Sequence, residues 1–174
     1  TMKPLLSYID LQRQQVIESV SPPDHRLSLR HLAITKDDEV IVGGQLQAGY
    51  NDLESLVYSH RRNGALSALK GQTNENLEIV NQYIASVAVS PNGLYAVTTS
   101  PRGDRVSMWN IKQSSWIGDV SMPDIGGVSF YHDDNRVRLS SGNGNLYELD
   151  LKRKRVQQLA THASCHWDNH LVTL

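Results

Sequence analysis

The sequence predicts an all-β fold of radially arranged, four-stranded antiparallel sheets, the blades of a β-propeller of the WD40- or YVTN-like kind. Three observations predict it: a repeated hairpin, a second repeat interleaved with the first, and the interval between copies. The hairpin repeat runs from Ile9-Asp10-Leu11 to Val16, from Trp109-Asn110-Ile111 to Trp116, and from Leu149-Asp150-Leu151 to Val156. Each copy has the same offset across a polar turn. Tyr58-Ser59-His60 with Ala65 is a weaker copy, and its Asn63-Gly64 is the strongest turn dipeptide of the set. The interleaved repeat comprises His31-Leu32-Ala33-Ile34, Ser86-Val87-Ala88-Val89, Gly127-Val128-Ser129-Phe130 and Ser164-Cys165-His166-Trp167. Each copy alternates larger apolar residues with smaller or polar ones, as an inner strand between two neighbours requires. A spacing of roughly 40 residues with four strands per unit is the propeller signature.

With strands lettered A to D from the axis outward, residues 1–20 read as strands C and D of a half blade. Residues 29–71, 83–120 and 125–160 read as complete blades, and 164–174 as strands A and B. The extra residues around Gly71–Gln82 predict a loop or one helical turn. The count comes to about four blades, half of a larger ring. A chain that stops in strand B, at His170–Leu174, leaves an unpaired edge. Leu32, Ile34, Val87, Val89 and Phe130 are sized to pack between sheets on both sides, so the ends of an open arc would expose apolar faces. The expectation is therefore a homo-oligomer joined through terminal blades, with Pro4–Leu11 and His170–Leu174 near the seam, or a fragment that needs an N-terminal half.

Bulk composition narrows the function classes. The 174 residues are 39% hydrophobic and 20% charged, with formal net charge −1. A balance of 17 basic and 18 acidic residues gives no electrostatic footprint for nucleic acid. The basic run Lys152–Arg155 reads as a solvated hairpin turn. No apolar stretch approaches the ~18 residues of a membrane span. A single cysteine, Cys165, precludes an intrachain disulfide. Its alignment with Leu32, Val87 and Val128 predicts a buried, inert thiol on an inner strand.

Candidate site residues follow from the strand lettering. In propellers the D-to-A and B-to-C connections share one face, where channels and ligand sites open. That places Arg30, His31, Arg102 and Asp124 on or near this face, with Asp24-His25-Arg26 and His162. Arg and His near an axis suit an anionic small ligand through charge-assisted hydrogen bonds. The competing reading is that Arg30 and Arg102 brace neighbouring loops. His25, His162 and His166 are weak metal candidates, none with compact ligand spacing. The pairs Asp37-Asp38 and Asp133-Asp134 read as solvated turns. The sequence calls for no cofactor, carries no Gly-x-Ser-x-Gly elbow, and has no glycine-rich phosphate loop before a helix.

Several stretches resemble one bacterial family. They are Leu29–Ala33, His60-Arg61-Arg62 with Gly64, Ser86–Val89, Ser100-Pro101-Arg102-Gly103 with Trp109, Ser140-Ser141-Gly142 with Gly144, and Trp167-Asp168-Asn169-His170. Together these are similar to the C-terminal half of an uncharacterised family of exported seven-bladed propellers. Members usually carry a twin-arginine signal and are often encoded beside imelysin-like iron-uptake lipoproteins. Asn143 stands where that pattern has a basic residue. The resemblance implies a periplasmic setting, a link to iron or metal acquisition and an imelysin-like protein partner, with no established activity. The reading that results is a non-enzymatic binding or scaffold propeller. The alternative is a lactonase-type hydrolase with its site in the axial channel.

Overall fold

The computed structural model describes residues 3–46 and 55–173. The ends of the predicted ranges at Thr1, Met2 and Leu174, and residues 47–54 of the first complete blade, lie outside the described residues. The fold is all-β. Strands β1 (Leu6–Asp10) and β2 (Gln15–Val20) form a two-stranded antiparallel hairpin. Three four-stranded sheets follow, each a meander in which every strand pairs with its chain neighbours. The first holds β3 (Leu27–Ile34), β4 (Val40–Leu46), β5 (Val57–His60) and β6 (Ser67–Ala68). The second holds β7 (Ser86–Val89), β8 (Tyr95–Ser100), β9 (Arg105–Asn110) and β10 (Ser115–Ser121). The third holds β11 (Ile125–Phe130), β12 (Arg136–Ser141), β13 (Asn145–Asp150) and β14 (Arg155–Thr161). The described residues form no closed ring.

A short helix α1 (Asn74–Ile79) occupies the long connection between the first two sheets. Thr73 caps it through a reciprocal capping box with Asn76, which satisfies orphan backbone donors of its first turn.

The sheets meet along their first strands, β3 against β7 and β7 against β11. Alternation decides what each face touches. Val87 and Ile84 press on the first sheet, where a Cβ added to Gly43 would lie 3.2 Å from the Val87 side chain. Ala96, Trp109 and Ile111 of the second sheet join the same core as Ile41, Val57 and Leu69. The opposite face of the second sheet, with Ala88, Val97, Val106 and Met108, packs on Val128, Phe130, Val137, Leu139 and Leu149 of the third. The outer ends are tied as well: Lys70 N–H donates to the Ser114 carbonyl at 2.8 Å, and Trp116 N–H donates to the Lys70 carbonyl at 2.7 Å. The β1–β2 hairpin packs Leu6, Tyr8 and Val20 on the other side of the first sheet.

Two expectations need correction. Residues 164–173 form no strand; they make one tight turn, with Cys165 N–H donating to the His162 carbonyl, and then run irregularly across the first strands of the sheets. Cys165 is accordingly half-buried in this segment instead of sealed on an inner strand. The cause is the absence of a ladder: β1 pairs only with β2 among the described residues, and the C-terminal segment bonds elsewhere. Leu32 and Ile34, sized for a two-sided packing, are 48% and 58% exposed for a related reason.

Candidate functional site

The polar cluster that gathers the most chemistry lies where the C-terminal segment crosses β3, β7 and β11. It begins with a backbone irregularity. The ladder between β3 and β4 slips a register between Arg30 and Leu32, and the bulged residue, His31, has φ 46°. A non-glycine residue in the left-handed region is uncommon and marks a place where surrounding contacts hold the chain. The bulge turns the His31 ring toward the crossing segment.

Asn169 supplies the contact from the other side. Its Nδ2 donates to His31 Nε2 at 2.7 Å and to the Ala85 carbonyl at 2.9 Å. The backbone and Cβ of Asn169 lie over Gly126, where an added Cβ would sit 3.7 Å from the Asn169 Cα. One asparagine thus touches the leading strands or approaches of all three sheets. His170 lies beside His31, ring centroids 5.2 Å apart, and its Nδ1 is 3.2 Å from Asp168 Oδ2. The Asn169 backbone N–H, foremost, and His170 beside it hold the Asp168 carboxyl below its ordinary range. Burial, with His170 and Arg30 nearby, holds the His31 imidazole below its ordinary value, against an opposing pull from Asp168. Beyond the cluster, Leu171 and Val172 line a groove with Ala33, Val87, Ala88, Val89, Val128 and Phe130. Thr173 N–H donates to Ser129 Oγ at 3.0 Å.

The residues singled out from sequence have separate settings. Arg30 and His31 are chain neighbours on β3, and Arg30 Nε donates to Ser28 Oγ at 3.2 Å on an exposed surface. Arg102 lies in a 3-10 turn, Pro101–Gly103, with its guanidinium 4.3 Å from the centre of the Tyr83 ring. Ser100 Oγ donates to the Val80 carbonyl at 2.6 Å, and a Cβ on Gly103 would collide with the Ile79 carbonyl. The Ser-Pro-Arg-Gly loop is therefore clamped to the end of α1, an arrangement that braces two sheets. Asp124, at φ 51°, receives its order from the third sheet and its neighbour: its N–H donates to Asp104 Oδ1 at 2.8 Å, and its carbonyl accepts from Gly142 N–H at 3.0 Å.

The histidine candidates are dispersed. His25 is exposed, 3.8 Å from Asp24 Oδ1, and the Arg26 backbone N–H and guanidinium hold Asp24 low. His162 meets Trp167 edge-on at 5.7 Å. His166 Nδ1 is 2.8 Å from the Gly142 carbonyl, which can only accept, so Nδ1 carries the proton. Among the described residues, no three His, Cys, Asp or Glu side chains are placed to hold a metal ion.

Asn169, central to this cluster, was not a candidate from its residue type. Its only signal was position, within the Trp167-Asp168-Asn169-His170 stretch that carries part of the family resemblance.

Comparison with known proteins places the chain in an uncharacterised family and goes no further. The family described as "Protein of unknown function (DUF1513)" matches residues 1–174, and the chain belongs to it. No curated protein matches the chain.

Proposed function

We propose that the chain is about half of a larger propeller ring and serves as a non-enzymatic binding or scaffold unit. One observation carries the reading. Apolar side chains of the leading strand are buried in the third sheet, buried or partly buried in the second, and open in the first. Val87, Val128 and Phe130 are 8%, 3% and 7% exposed, against 48% for Leu32 and 58% for Ile34. Beside that open face, β1 leaves one edge without a partner among the described residues. An apolar face flanked by a free strand edge suits association by strand addition and side-chain burial. The resemblance supports a periplasmic setting and an imelysin-like protein as the partner, with a role in iron or metal acquisition.

The test is direct. Light scattering over a wide concentration range, followed by calorimetric titration with a purified imelysin-like protein, should show self-association or a saturable complex. A strictly monomeric chain that binds no such protein and hydrolyses lactones would replace this reading with the hydrolase alternative.

A further inference from the structure

The contact between Asn169 and His31 has a defined direction. The Ala85 carbonyl can only accept, so the Asn169 amide must present Nδ2 to it. The same Nδ2 lies 2.7 Å from His31 Nε2. An amide NH2 has two protons, one for each neighbour, so Nε2 must be an unprotonated acceptor and the His31 proton must sit on Nδ1. A doubly protonated ring would set N–H against N–H at this distance.

The surroundings disfavour the cation too. Arg30, on the same strand, and His170, in the crossing segment, both oppose positive charge at His31; Asp168, with its side chain exposed, favours it. The packed strands β4, β7 and β11 add no titratable side chain (their sequences are VIVGGQL, SVAV and IGGVSF). Past Asn169, the segment is held by few polar contacts. Thr173 N–H reaches Ser129 Oγ, and the Thr173 hydroxyl is buried with no partner among the described residues.

We propose that residues 168–173 are an acid-released strap over the groove formed by β3, β7 and β11, with neutral His31 as its catch and Asn169 as its hook. Above the ordinary histidine value of 6.5 both strapped and free forms hold His31 neutral, and the strap is fully favoured. Because the strapped form has the lower value, the free form binds more protons as pH falls below about 6.5, and the balance moves toward release. The shift levels off only below the strapped value. Release would open the groove whose lining Leu171 and Val172 share with Ala33, Val87, Val89, Val128 and Phe130 along the leading strands.

Two measurements test this on the intact chain. Long-range imidazole 15N–1H spectra at pH 7.5 should show the His31 proton on Nδ1; a proton on Nε2 would overturn the proposal. Amide hydrogen exchange of residues 168–173, compared with variants at the same pH so that intrinsic rates cancel, reads the strap itself. His31→Gln retains an acceptor and cannot charge, so it should stay strapped at pH 7.5 and 5.5. Asn169→Ala should exchange roughly tenfold faster than the native chain at pH 7.5, as expected for loss of its hydrogen bonds. The native chain should match His31→Gln at pH 7.5 and approach Asn169→Ala at pH 5.5. Equal protection of the native strap at both pH values, or equal pH sensitivity of His31→Gln, would overturn it.

Discussion

Strands β3 and β7 share a sequence grammar and differ in fate. His31-Leu32-Ala33-Ile34 and Ser86-Val87-Ala88-Val89 superimpose residue for residue. Yet Val87 is buried and Leu32 stands half in water. The side chains at these positions point toward the preceding sheet. For β7 that is a complete sheet led by β3; for β3 it is the β1–β2 hairpin, which reaches the outer strands and leaves the leading strand uncovered. Burial here is a property of the neighbour, not of the strand. The molecule therefore carries a graded series of seams: sealed between the first and second sheets, partly sealed against the hairpin, and open at Leu32 and Ile34.

Substitutions along that series should fall in the same order. The largest effect is expected at Trp109, fully buried in the sealed seam, with its Nε1 donating to Thr98 Oγ1 at 3.0 Å. Trp109→Ala removes the largest buried side chain and orphans a hydroxyl contact, and should lower unfolding free energy by about 3–5 kcal/mol in urea titrations. A loss under ~1 kcal/mol would mean the sheets do not form a single packed interface. Gly103→Ala probes the same seam at its loop end. The added methyl would meet the Ile79 carbonyl and lie 2.6 Å from the Val80 Cα, both backbone atoms that cannot swing aside. A cost of about 1–3 kcal/mol follows from overpacking, and thermal melts should register it. Unchanged melting would show that the clamp between the Ser-Pro-Arg-Gly loop and α1 is dispensable.

How much of this was legible beforehand differs by level. The hairpin copies at Ile9, Trp109 and Leu149 and the alternating copies at His31, Ser86 and Gly127 mark real strands, because alternation and turn chemistry are local. The copy at Ser164 carries the same local pattern and forms no strand. A strand also needs a partner edge, which no local pattern can supply. The site was less legible still. Arg102 drew attention as a charge near the expected face, and the structure spends it on the Tyr83 ring. Asn169 matters because the His31 bulge and the Ala85 carbonyl converge on it, a coincidence of three separate chain segments that sequence spacing does not encode.

The partly sealed seam should respond more weakly. Tyr8 of the hairpin places its hydroxyl 2.8 Å from His60 Nδ1, while His60 Nε2 lies 3.1 Å from the Gly64 carbonyl. The carbonyl requires a proton on Nε2, so in the neutral ring Nδ1 accepts from the tyrosine. Tyr8→Phe leaves that nitrogen without its donor and should cost about 0.5–1.5 kcal/mol. The loss should appear first as faster hydrogen exchange in β1 and β2, since this bond ties the hairpin to the first sheet. Uniform exchange across the chain would instead place the hairpin inside the same cooperative unit as the three sheets.

The smallest effect on folding is expected at the open seam, and it is the most informative. Leu32→Ser and Ile34→Ser remove side chains that are already about half in water, so each should change the unfolding free energy of the isolated chain by roughly 0.5 kcal/mol or less. Association obeys a different rule. A partner that covers this face would bury the remaining apolar surface of both side chains, and burial of a complete leucine or isoleucine is worth about 1.5–3 kcal/mol. With about half of each already shielded, the double variant should weaken the complex at least about tenfold while leaving the urea midpoint nearly unmoved. Light scattering across a dilution series separates the two quantities in one set of samples. If the midpoint falls substantially, the side chains support the fold, and the contrast between β3 and β7 is one of degree. If neither quantity moves, the open face is ordinary surface, and the association reading fails with it.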